Sequence, residues 1–130
     1  MAQLEENVRY WLEIAEYDLE TARAMLETGR YLYVGFMCHQ VVEKALKAVI
    51  THTGIEPPHI HNLAKLADRA GLYDELTDEQ KGTLAALDPL NIQSRYPGEK
   101  DRVFATLSRD RCKAILNQTQ EMYNWIRATL

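Results

Sequence analysis

Apolar positions recur three and four residues apart between Gln3 and Thr28, at Leu4, Val8, Trp11, Ala15, Leu19, Ala22 and Leu26, as one side of a helix requires. Glu6, Glu13, Glu20 and Glu27 fall on the opposite side, and Gly29 follows as a residue suited to closing the helix in a left-handed conformation. A second helix is predicted from Tyr31 to His52, ending near Gly54, with Val34, Cys38, Val41, Ala45, Ala48 and Val49 as its main stripe. Its far side is not polar, because Phe36, Leu46 and Ile50 stand there among His39, Glu43 and Lys47. A helix with apolar surface in two directions is either central to a bundle or part of a subunit interface.

The stretch from Ile55 to Ile60 holds Pro57 and Pro58, which remove backbone donors and force the chain extended. Asn62 or His61 then caps a short helix, Leu63 to Ala70, stopped by Gly71. Thr77 to Gln80 has the spacing of a capping box, and the helix it starts ends at Asp88–Pro89. Asn91 to Arg102 contains Pro97 and Gly98, lacks helical periodicity, and reads as a surface loop. The last helix begins near Ser108 and reaches Thr129, with Cys112, Ile115, Thr119, Met122 and Ile126 on one side and Tyr123 and Trp125 flanking them. The expected fold is all-α: a single domain over residues 1–130, an antiparallel four-helix-type up-and-down bundle with an extra short helix.

Composition narrows the function classes. Nineteen acidic against 15 basic side chains leave a formal charge of −4, which excludes nucleic-acid binding by bulk electrostatics and makes any such contact local. Cys38 and Cys112 both fall on apolar stripes, so they are expected as core thiols in a reducing, cytoplasmic setting rather than as a disulfide framework. Glu5, Glu6 and Arg9 interrupt any leader-like apolar run after Met1, and no apolar run is long enough to span a membrane.

His39, Glu43 and Lys47 lie four residues apart and form one polar column on the second helix. Such a column is either a site or an ordinary set of ion pairs worth a few tenths of a kcal/mol each, roughly. The segment Phe36 to Ala48 resembles the second helix of the HEPN family, the nucleotide-binding domains of higher eukaryotes and prokaryotes. Trp11, the Ala15/Asp18/Leu19/Ala22 pattern, the Gly29-Arg30-Tyr31 junction, His61-Asn62-Leu63 and Arg95-Tyr96-Pro97 resemble its small prokaryotic members, in order along nearly the whole chain. The resemblance implies a helical bundle that pairs as a homodimer with a cleft at the pairing surface. It also implies two lines of work: partnership with a minimal nucleotidyltransferase in a toxin–antitoxin-like couple, or metal-independent cleavage of RNA.

Ribonuclease members carry an arginine followed, after four to six residues, by a histidine. This sequence has no such pair: Arg30 is the nearest arginine before any histidine, with eight residues between it and His39. No catalytic residue is therefore assigned. Arg95 offers a planar fork for phosphate and Tyr96 a ring for a base, against the plainer expectation of a turn residue beside a packed tyrosine. His59 and His61 have the spacing of half a metal site, but no companion ligands stand at a suitable distance in sequence, and neither a metal nor a cofactor is expected. Trp11 and Trp125 are expected as core or interface anchors, and the scattered glycines form no phosphate-cradling motif.

The expected function is a non-hydrolytic homodimer whose cleft, lined by His39, Glu43, Lys47, Arg95 and Tyr96, holds a nucleotide or RNA-related ligand, with a nucleotidyltransferase partner and no membrane. The alternatives are a ribonuclease using Arg95 with His39 or Tyr96, and a purely structural helix-pairing module that is monomeric when alone.

Overall fold

The structure, a computed structural model, describes residues 2–130 apart from the side chain of Ser94. Six α-helices make up the described chain: α1 (Ala2–Glu27), α2 (Tyr31–His52), α3 (Leu63–Arg69), α4 (Asp78–Leu87), α5 (Pro97–Ala105) and α6 (Arg109–Ala128). Single 3-10 turns at Tyr73–Glu75, Asp88–Leu90 and Ile92–Ser94 join the shorter helices, and no strand occurs among the described residues. None of these helices is long and apolar enough to cross a membrane.

The boundaries follow from local chemistry. Gly29 takes φ +75°, which lets its own N–H reach the Leu26 carbonyl at 3.3 Å and the Arg30 N–H reach that of Met25 at 2.8 Å. These two bonds satisfy the last carbonyls of α1 and turn the chain back along itself. Asn62, and not His61, caps α3: its side chain accepts from the Lys65 N–H at 2.9 Å. Thr77 and Gln80 form the reciprocal capping box of α4, with bonds of 3.1 and 2.9 Å. Ser108 caps α6 through the Arg111 N–H at 3.1 Å.

Helix α2 is the axis of the molecule. It packs against α1 along most of its length, against α6 on another side, and against α3, α4 and α5 at their crossings. The main stripe and the far side are both enclosed, with Phe36, Leu46 and Ile50 only 6%, 2% and 1% exposed. The two-sided oiliness of α2 is thus satisfied inside one chain, and it supplies no argument for a partner subunit. Close approach at the start of the helix depends on Gly35, where a Cβ would lie 3.2 Å from Leu90 Cδ1 and 3.3 Å from Leu107 Cδ1.

Two expectations need correction. Asn91–Arg102 is not a loop: it holds the Ile92–Ser94 turn and most of α5. Pro97 stands at the first position of α5, where its missing N–H would go unused in any case, so it starts a helix instead of breaking one. No residue of α5 is fully buried, which is why no apolar period announced it. In α1, Leu12 joins Val8, Ala15, Leu19 and Ala22 in the core while Trp11 is only partly buried. Cys38 and Cys112 are free and buried, and burial pushes the Cys38 thiol up to about 12, which removes its nucleophilic form near neutral pH.

Candidate functional site

The His39–Glu43–Lys47 column does form, but inside the protein. All three residues are buried, His39 and Glu43 completely, on the side of α2 that faces the extended segment after Gly54. Glu43 is the hub. Its Oε1 accepts from His61 Nδ1 at 2.9 Å, and its Oε2 accepts from Lys47 Nζ at 3.2 Å and Lys44 Nζ at 3.5 Å. A carboxylate taken out of water is tolerable only with such partners. Burial pushes the Glu43 carboxyl up, but the His61 hydrogen bond and the Lys47 and Lys44 charges together outweigh it and hold the group below its ordinary value.

His39 works in the opposite sense. Its Nε2 lies 3.1 Å from the His61 carbonyl, an acceptor, so the proton sits on Nε2. Asp88 Oδ1 is 3.9 Å from the same nitrogen, and Gln40 Oε1 is 3.4 Å from Nδ1. Burial is the largest influence and lowers the His39 imidazole below its ordinary value, which keeps it neutral. Asp88 at the end of α4 also accepts from the Leu63 N–H at 3.1 Å and the Asn62 amide at 3.3 Å. The network therefore ties the proline segment, the start of α3 and the end of α4 to the middle of α2.

Arg95 and Tyr96 lie elsewhere. Among the described residues no hydrogen bond or ion pair joins either to the column. Arg95 Nη1 is 3.6 Å from Glu99 one turn along, while its Nε is shut from solvent without a hydrogen-bond partner. Tyr96 caps the start of α5 through its backbone and leaves its ring 79% exposed. Three of the five predicted residues thus come together, His39 and Glu43 wholly enclosed and Lys47 reaching only the edge of a cavity, and the two more exposed ones stand apart.

Sequence reasoning assigned His61 only to helix capping or metal binding and gave Asp88 no role in the site. The signal available for both was Glu43 itself, since a carboxylate in the middle of a helix with apolar surface on two sides needs donors from its own helix and from another segment. His59 points to no shared ion with His61: His61 faces Glu43, whereas His59 lines a cavity beyond Lys47. Among the described residues no three His, Cys, Asp or Glu side chains converge as a metal cage.

The family is settled by the sequence. The HEPN domain matches residues 8–129 of the chain. The protein belongs to the HEPN family. Its bundle is similar to the crystal structure of TT1696 from Thermus thermophilus, with a TM-score of 0.82 at 23% identity over 95% of this chain and 98% of that one. It is also similar to ST0689, described as an archaeal HEPN homologue, with a TM-score of 0.71 at 24% identity over 95% of this chain and 97% of the other. No curated protein sequence matches the chain. The enclosed column and the exposed Arg95–Tyr96 pair are thus two separate features of one HEPN bundle.

Proposed function

We propose that this HEPN protein is a non-hydrolytic binding or regulatory subunit that takes a nucleotide or an RNA end and acts as a homodimer beside a minimal nucleotidyltransferase. The observation that carries the ligand assignment is the Arg95–Tyr96 pair: a guanidinium next to a ring that stands 79% exposed, at the start of a helix with no side-chain cap. A guanidinium matches phosphate geometry and an open tyrosine ring stacks on a base. His39, Glu43 and Lys47 enter this function as a brace behind the surface and not as ligand contacts.

Cleavage of RNA is disfavoured on chemical grounds. The only histidine of α2 before its final turn, His39, is wholly enclosed and engaged with the His61 carbonyl, so it has no route to a ribose hydroxyl. With α2 satisfied internally, the homodimer rests on family membership and on a shallow apolar cavity of about 280 Å³ at the α1–α2 turn, lined in part by Met25, Tyr33 and Met37.

Calorimetric titration with ATP and with a short single-stranded RNA tests the proposal. Binding that weakens in both Arg95→Ala and Tyr96→Ala is the expected result. No heat from either ligand at about millimolar concentration, which corresponds to roughly 4 kcal/mol of binding free energy, overturns it. Sedimentation at micromolar concentration tests the pairing, and a monomer contradicts it.

A further inference from the structure

A groove of about 370 Å³ lies where the first turns of α1 meet the last turns of α2 and α6, apart from Arg95 and Tyr96 and independent of the proposal built on them. That volume is in the range of small-molecule sites. Its floor is aliphatic. Leu4, Val8 and Leu12 stand on successive turns of α1, so they form one strip about 12 Å long at the helical rise, and Leu130 joins it from beyond the end of α6. Val8 and Leu12 are buried, while Leu4 and Leu130 are partly so. Among the described residues no aromatic side chain lines the groove, unlike the cavity beyond Lys47, which Trp11 borders and which shares only Leu4 with it.

The rim carries two guanidinium groups and an imidazole. Arg9, Arg127 and His52 border the strip, with Glu5 as the one carboxylate side chain there among the described residues. Arg127 and His52 stand in the last turns of α6 and α2, where a helix end favours a cation for its own sake. Arg9 stands in the interior of α1 and has no such reason. Glu5 and Glu13 flank it at helical spacing, and Glu16 stands with Arg127 near Tyr123. Even so, no ion pair or side-chain hydrogen bond among the described residues engages either guanidinium. A guanidinium fork takes a carboxylate through two parallel bonds, and a strip of hydrocarbon takes a saturated chain behind it. A nucleotide would find phosphate partners at the rim but no ring to stack on in the floor.

We infer that this groove binds an aliphatic carboxylate of medium chain length, its chain along Leu4, Val8 and Leu12 and its head at Arg9 and Arg127. The test titrates the full chain with octanoate, decanoate, decanol and inorganic phosphate by calorimetry, and follows the methyl resonances of Leu4 and Val8 in the labelled protein. Decanoate is expected to bind and to move those methyls while Leu63 and Leu66 of α3 stay in place. Octanoate is expected to bind about tenfold more weakly, in keeping with the transfer free energy of two methylenes. Decanol, which has the chain without the charge, is expected to be at least about fivefold weaker than decanoate, and phosphate to give no heat. Arg9 and Arg127 are exposed, so Arg9→Gln and Arg127→Gln keep the fold, and each is expected to weaken decanoate binding by about threefold or more. Arg95→Ala is expected to leave decanoate binding unchanged, which separates this groove from the site proposed above. No heat from decanoate at about millimolar concentration overturns the assignment. So do equal affinities for decanoate and decanol, phosphate binding as tight as decanoate, no gain with chain length, indifference to both arginine changes, or methyl movements confined to residues outside the groove.

Discussion

The middle of α2 and the start of α5 present the same kinds of side chain in opposite settings. Around Glu43, the enclosed Lys47 and His39 and the more exposed Lys44 and His61 surround one fully buried carboxylate; around Arg95, a partly exposed cation pairs with Glu99 beside the open ring of Tyr96. In the first region each charge is obliged to have its partner, because an unpaired ion in a core is costly. In the second the same ion pair is worth little, and its members are free to exchange partners with a ligand. Polar residues at helical spacing therefore mark two different things, a brace and a contact surface, and burial alone separates them.

The sharpest way to break this contrast is to remove the hub. Glu43→Ala leaves Lys47 enclosed without its counter-charge and frees His61, and is expected to cost about 3 kcal/mol or more of unfolding free energy in urea titrations. A loss near that of an ordinary surface change would place the column with the exposed pair. Asn62→Ala removes the α3 cap and one bond to Asp88 and is expected to cost about 1 kcal/mol by the same measurement.

Acidification bears first on the brace. The folded chain holds His39 below its ordinary value of 6.5, so as the pH falls past that point the unfolded chain binds a proton that the folded chain refuses, and stability declines. Glu43, held below 4.5, extends the decline at lower pH, while Asp18, raised from 3.8 chiefly by its own burial beside Lys44 and Glu43, opposes it there. Thermal unfolding between pH 7 and 5 is expected to show the decline in the native protein and a flatter profile in His39→Gln; parallel profiles would contradict it. The smallest effects belong to the open region. Arg95→Ala and Tyr96→Ala are each expected to change stability by about 0.5 kcal/mol or less while lowering ligand affinity, checked by urea titration beside calorimetry.

Much of the fold was readable because its signals are local. The stripes of α1, α2 and α6, the Gly29 reversal, the α3 cap at Asn62 or His61, the start of α6 near Ser108 and the Thr77–Gln80 box each depend on residues within a turn or two of one another. Helix α5 was hidden because it buries nothing fully and opens on Pro97. The place of α2 was left open, since a helix oily on both sides is described equally well as a core axis or as an interface, and only Leu90, Leu107 and the other helices around it decide the matter. The column was legible as a spacing and illegible as a brace: His61 and Asp88 lie 18 and 45 residues from Glu43, beyond the reach of any helical period. Trp11 reads as an anchor because it falls on the apolar stripe of α1, yet Leu12 carries that duty and Trp11 borders the cavity.

The bond between Glu43 and His61 holds the proline segment to α2, and a double-mutant cycle on Glu43→Gln and His61→Asn measured by urea unfolding tests it most directly. The network predicts a coupling energy of about 0.5 kcal/mol or more between the two positions. Strictly additive losses would mean that the two side chains act alone and that the column braces nothing.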